Sequence, residues 1–133
     1  MICYTKISRD GVGEVWPHIE EWVRISRGAD ESYSVEDIKA VCESGKCDLW
    51  VATLDDAYKG FLVGVTSIRP QGKVYHGSWL GGEDLAIWVD GLKFIEDFVR
   101  ENGYIGSSFI GRKAWKRLVG YDYEGVYYYK KLN

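Results

Sequence analysis

Few residues in this chain have the chemistry to act on a substrate, and they cluster in its second half. His76 lies in a β-like run, Lys73–Leu80 (KVYHGSWL), and its intrinsic pKa suits a general base. Directly after that run come Gly81 and Gly82, then Glu83 and Asp84, and then the longest amphipathic helical pattern in the chain. A strand that feeds a glycine turn and a helix presents backbone N–H groups to an anion. Further on, Arg112, Lys113, Lys116, Arg117, Lys130 and Lys131 make the C-terminal end basic, a cationic rim able to meet phosphates. Arg112, placed to open a short helix, is the strongest candidate for a functional side chain among these.

Other constellations are incomplete. Ser107 and Ser108 have no base at recognisable spacing, so a nucleophilic triad is not expected. His18 sits beside Glu20 and Glu21 on what reads as a wet helix face. Gly11-Val12-Gly13 resembles the start of a dinucleotide fingerprint, but Trp16 occupies the third glycine position and no βαβ continuation follows. The three cysteines, Cys3, Cys42 and Cys47, are odd in number and form no CxxC, so neither a disulfide framework nor a zinc site is expected. Cys42 falls on an apolar helical stripe and reads as a core residue. Net charge is −3, which gives no general case for nucleic acid binding. No run approaches the ~18 apolar residues of a membrane span. The N-terminus lacks the basic and apolar regions of a signal peptide, and an intracellular location is the expectation.

The elements that must position these residues follow from periodicity. With 133 residues, 46% of them hydrophobic, the chain suits one packed domain spanning 1–133. Residues 2–7 alternate as a strand. A helix to about Ser26 carries Trp16, Ile19, Trp22, Val23 and Ser26 inward, with Pro17 in its first turn. Ser34 caps a second helix, with Asp37 three residues later as a capping box, and Gly45 ends it. Asp48–Leu54, Gly60–Ile68 and Lys73–Leu80 read as an antiparallel meander. In the long helix Leu85, Trp88, Leu92, Ile95 and Val99 share one face, and Gly103 stands as the terminating C′ residue. Residues 104–110 form a strand parallel to the one before that helix, because a helix crossover joins them. A short helix from Arg112 to about Val119 and a strand Val126–Leu132 complete the chain. The Tyr-rich last strand, with Tyr121 and Tyr123 before it, reads as one buried and one amphipathic face, an interface for a second copy or another protein. The expected class is therefore α+β, a mixed sheet in the order β-α-α-β-β-β-α-β-α-β with helices on both faces.

That order, together with Trp16 and Ile19, Asp37-Ile38, Leu49-Trp50-Val51-Ala52, Leu80-Gly81-Gly82, Arg100-Glu101-Asn102-Gly103 and Gly111-Arg112-Lys113-Ala114-Trp115, resembles the GCN5-related N-acetyltransferase (GNAT) family. Within it, the chain more specifically resembles the small GNAT-like proteins of tailed bacteriophages and prophages. The resemblance implies an acetyl-CoA site between strand 73–80 and strand 105–110. The pantetheine arm would bond to the backbone near Ser78, Trp79 and Leu80. The pyrophosphate would sit on the N–H groups of Gly81 to Asp84, with Arg112 and Lys113 available to compensate its charge. It also implies an amine acceptor, a small molecule or a protein, with His76 as base. A chain that had lost catalysis would instead be a binding or virion-associated module among phage structural proteins.

Two departures from the family pattern stand out. In the loop pattern R/Q-x-x-G-x-G/A, Ser78 replaces the basic or amide residue and Glu83 the second glycine. Carboxylates about 5 Å from a phosphate repel it by a few kcal/mol at an effective dielectric of about 20, a hundredfold in affinity. In the pattern that carries a thiolate-protonating Tyr, Leu118 holds the Tyr position, and Tyr121 and Tyr123 are shifted from it.

Overall fold

The computed structural model describes residues 2–28, 32–84, 92–109 and 130–132. Strand β1 (Ile2–Ile7) leads through a short 3₁₀ turn at Arg9–Gly11 into α1 (Val12–Arg27), and then α2 (Val35–Glu43). Strands β2 (Asp48–Leu54), β3 (Ala57–Arg69) and β4 (Gly72–Gly82) follow, then α3 (Leu92–Glu101) and β5 (Gly106–Phe109). The five strands form one sheet in the order β1-β2-β3-β4-β5. The first three pairings are antiparallel, and β4 with β5 is parallel, as the helix crossover requires. The anticipated helix 112–119 and most of the strand 126–132 lie outside the described residues. Lys130–Leu132 are described and have no strand structure, so that strand does not extend to Leu132.

Each helix is held by a face its sequence spacing dictates. Val12, Val15, Trp16, Ile19 and Val23 of α1 are buried, and with Val35, Ile38 and Cys42 of α2 they meet Leu49, Val51, Phe61 and Val63 of the sheet. On the opposite face Ile95 and Val99 of α3 pack with Trp50, Ala52, Leu62, Tyr75 and Leu80. Helices therefore cover both faces of the sheet. Burial pushes the Cys42 thiol up to about 12, which leaves it a protonated core group.

Local chemistry sets the ends. The α2 capping box is complete: Asp37 N–H donates to Ser34 Oγ at 3.0 Å, and Ser34 N–H to Asp37 Oδ2 at 2.9 Å. α3 ends in a Schellman arrangement, with Gly103 at φ +77° and Tyr104 N–H bonded to Val99 carbonyl at 3.1 Å. The β2–β3 hairpin turns on Asp55 and Asp56, at φ 50° and 67°, the left-handed pair a two-residue loop of matching twist needs.

Two expectations need correction. α1 begins at Val12, so Pro17 lies beyond its first turn, inside the helix, where it cannot donate to the Gly13 carbonyl. β4 runs to Gly82, so the glycine pair ends a strand and does not start the long helix. The Leu85 and Trp88 positions fall outside the described residues.

Candidate active site

β4 is irregular at one point. Val63 of β3 faces Trp79, and the next residue, Gly64, faces Gly77, so Ser78 is an extra residue without a counterpart. Such a bulge bends the strand and re-aims its side chains. It also reverses the alternation that a plain strand reading of 73–80 supposes. That reading groups His76 with Ser78 and Leu80, against Tyr75 and Trp79. Across the bulge, Leu80 instead joins Tyr75 in the α3-side core, and Trp79 packs against the α1-side core. His76 faces Val65, two residues from Val63, and so lies on the α1 side of the sheet with Trp79.

Among the described residues, the bulge follows directly on the last β4–β5 pair. Val74–Gly77 pair with Gly106–Phe109, and among the described residues Ser78–Gly82 have no partner on that edge. Among the described residues their outward N–H and C=O groups form an open strand edge, able to pair with an extended amide-bearing ligand.

His76 stands just before the opening. Its Nδ1 lies 2.8 Å from Ser108 Oγ, across the parallel register that sets His76 beside Ser108. Burial holds its pKa below the ordinary histidine range, and the charge of Arg69 lowers it further. Both effects favour the neutral ring, the state a base requires. His18 is elsewhere, stacked on Tyr58 at 4.7 Å.

Of the glycine pair, Gly82 is demanded by packing, whereas a Cβ on Gly81 would make ordinary contacts. A Cβ on Gly82, at φ +148°, would lie 2.2 Å from the Lys59 carbonyl, and one on Gly81 would meet Phe61 and the backbone of Trp22. The carboxylates that follow are turned back to β3. Glu83 N–H donates to the Lys59 carbonyl at 2.9 Å. The Lys59 ammonium donates to Glu83 Oε1 at 3.2 Å and Asp84 Oδ2 at 3.5 Å. These hydrogen bonds, Glu83 first, raise the Lys59 pKa. The two acids thus have a cation of their own, which weakens the repulsion their positions suggest. Glu83 N–H, already bonded to β3, is spent as an anion donor.

Lys59 was invisible as a site residue because its partners lie 24 and 25 residues away. Ser108 lacked a base in sequence for the same reason, its histidine being 32 residues earlier. Tyr33 is a third such residue; it meets Trp79 edge-on at 5.1 Å, beside the open edge. Arg112, Lys113, Tyr121 and Tyr123 lie outside the described residues. Among the described residues no group of three or more His, Cys, Asp or Glu is placed to hold a metal, and no helix is long and apolar enough to cross a membrane.

No family model and no curated protein sequence matches the chain. Solved structures do. An aminoglycoside acetyltransferase from an uncultured soil metagenomic sample, in complex with sisomicin, superposes with TM-score 0.74 at 12% identity, covering 99% of this chain and 97% of that one. A ribosomal-protein-alanine N-acetyltransferase from Brucella melitensis biovar Abortus gives 0.72 at 8% identity, with both chains covered completely (100%). A GNAT family acetyltransferase from Staphylococcus aureus gives 0.68 at 9% identity, covering 98% of each chain. At such identities the common property is the fold: the chain has the GNAT fold.

Proposed function

We propose that this chain is an acetyl-CoA-dependent N-acetyltransferase acting on an amine, carried by a small molecule or a protein. One observation carries the reading: among the described residues the Ser78 bulge follows the last β4–β5 pair and the backbone of Ser78, Trp79 and Leu80 has no partner on that edge, beside His76, whose burial favours the neutral ring. The open edge would hold and orient the amide-bearing arm of the cofactor, which supplies the activated acetyl group when bound. His76 would take the proton of the incoming ammonium, and Lys59 would keep Glu83 and Asp84 from repelling the cofactor's phosphates. Arg112 and Lys113 belong to the same reading as phosphate partners.

A second reading is a GNAT-like binding module, among phage structural proteins or in a virion, without efficient catalysis. Ser78 in the place of a basic or amide residue and the acids at Glu83 and Asp84 favour it. Isothermal titration with acetyl-CoA separates the two. Binding in the range of about 1 µM to 1 mM, with acetylation of a polyamine or peptide amine panel, is expected. The absence of heat at millimolar acetyl-CoA would sink the enzyme.

A further inference from the structure

We infer that Ser108 is a positioning residue that fixes the imidazole of His76 with its proton on Nδ1, so that Nε2 is the atom that takes the acceptor's proton. The inference rests on the acetyltransferase reading for its chemistry, but not for its structural content.

The two side chains meet because β4 and β5 run parallel in a register that sets His76 beside Ser108. Their contact, Nδ1 to Oγ at 2.8 Å, admits two arrangements, since a hydroxyl both donates and accepts. In one, Ser108 donates to a bare Nδ1 and Nε2 carries the proton. The ring then has no uncommitted lone pair, and protonation at Nδ1 would force the hydroxyl to turn over. In the other, Nδ1–H donates to Ser108 Oγ and Nε2 keeps its lone pair. When Nε2 receives a proton from the acceptor ammonium, the amine regains its lone pair and the Nδ1–H···Oγ bond is unchanged. Only this second arrangement holds the ring through both charge states without reorganisation, which is what a base in a partly buried site requires.

The surroundings act in the same direction. Among the described residues Arg69 is the charged group that acts on the ring, and a cation favours the neutral imidazole between turnovers. Among the described residues β4 and β5 pair no further than Gly77, and Ser108 is the last hydroxyl on β5 before the open edge. A hydroxyl there gives His76 an uncharged acceptor. A carboxylate in its place would raise the basicity of the ring and oppose its neutral state.

The test is imidazole ¹⁵N chemical shifts on the full chain, labelled at histidine, at a pH above the His76 titration. With two histidines in the sequence, His18→Gln assigns the spectrum. The expected result is a protonated Nδ1 and a pyridine-like Nε2 for His76, lost to a tautomer mixture in Ser108→Ala and restored in Ser108→Thr. An Nε2–H ring in the wild type, or an unchanged ring in Ser108→Ala, overturns the inference. In turnover, Ser108→Ala is expected to lower kcat/KM about tenfold with acetyl-CoA affinity kept, short of the hundredfold or more that loss of the base itself costs. If the wild type transfers no acetyl group, the functional reading falls while the spectra still decide the tautomer.

Discussion

Tyr75 shows how a single side chain ties the second core together. Its hydroxyl donates to Asp48 Oδ2 at 2.7 Å and accepts from Trp50 Nε1 at 2.9 Å, and its ring lies across Gly64 with no room for a Cβ. Burial and the Asp48 carboxylate push its pKa up, so it stays a neutral donor at any ordinary pH. Tyr75→Phe leaves Asp48 and the Trp50 N–H short of a partner, and thermal or urea unfolding is expected to show a loss of about 1–3 kcal/mol. A fall under about half a kcal/mol would mean that water replaces the hydroxyl. None of this can be read along the chain, since the partners of Tyr75 lie 27 and 25 residues away. The same distance in sequence hid the partner of His76, although the type of each residue was plain.

The elements that could be recognised in advance are those whose determinants are local. Ser34 and Asp37 are three residues apart, and their reciprocal bonds depend on nothing outside that turn. Gly103 announces the end of α3 because a left-handed residue is needed there. Ser34→Ala is expected to cost about 1 kcal/mol in chemical denaturation. The cap also has a pH signature. The backbone hydrogen bond from Ser34, and then its hydroxyl, hold the Asp37 pKa below the ordinary carboxylate range. Its contribution is therefore complete above the unfolded carboxylate pKa and is lost as pH falls through the lower folded value. Asp37→Asn and the wild type should converge in stability below that point; a gap that persists in strong acid would mean that the carboxylate's charge is not what the cap gains. By contrast, the Ser78 bulge has no local sequence mark, because an extra residue exists only relative to the strand beside it. The faces assigned by alternation fail past that point for this reason. Pro17 failed differently: α1 starts earlier than its aromatic face suggests, with Val12 already buried.

At the scale of the molecule, the sheet gathers distant strands so that charge on β3 governs the far end of β4. Lys59 stands where the β2–β3 register slips, opposite no residue of β2, and from there reaches both acids after β4. Under the proposed function, Lys59→Met should weaken acetyl-CoA binding severalfold at low salt, and Glu83→Gln with Asp84→Asn should restore it. Titration calorimetry at two ionic strengths checks this; equal affinity in all three proteins would place those acids away from the phosphates.

The tight seat of Gly82 against the Lys59 carbonyl has a consequence for comparing related chains. A residue demanded by packing is retained whether or not a ligand is ever bound, so glycine at 82 carries no information about activity. Under the proposed function, positions 59, 83 and 84 do. A relative that kept both acids but lost the lysine would be the one to suspect of having abandoned the cofactor, even with every glycine in place.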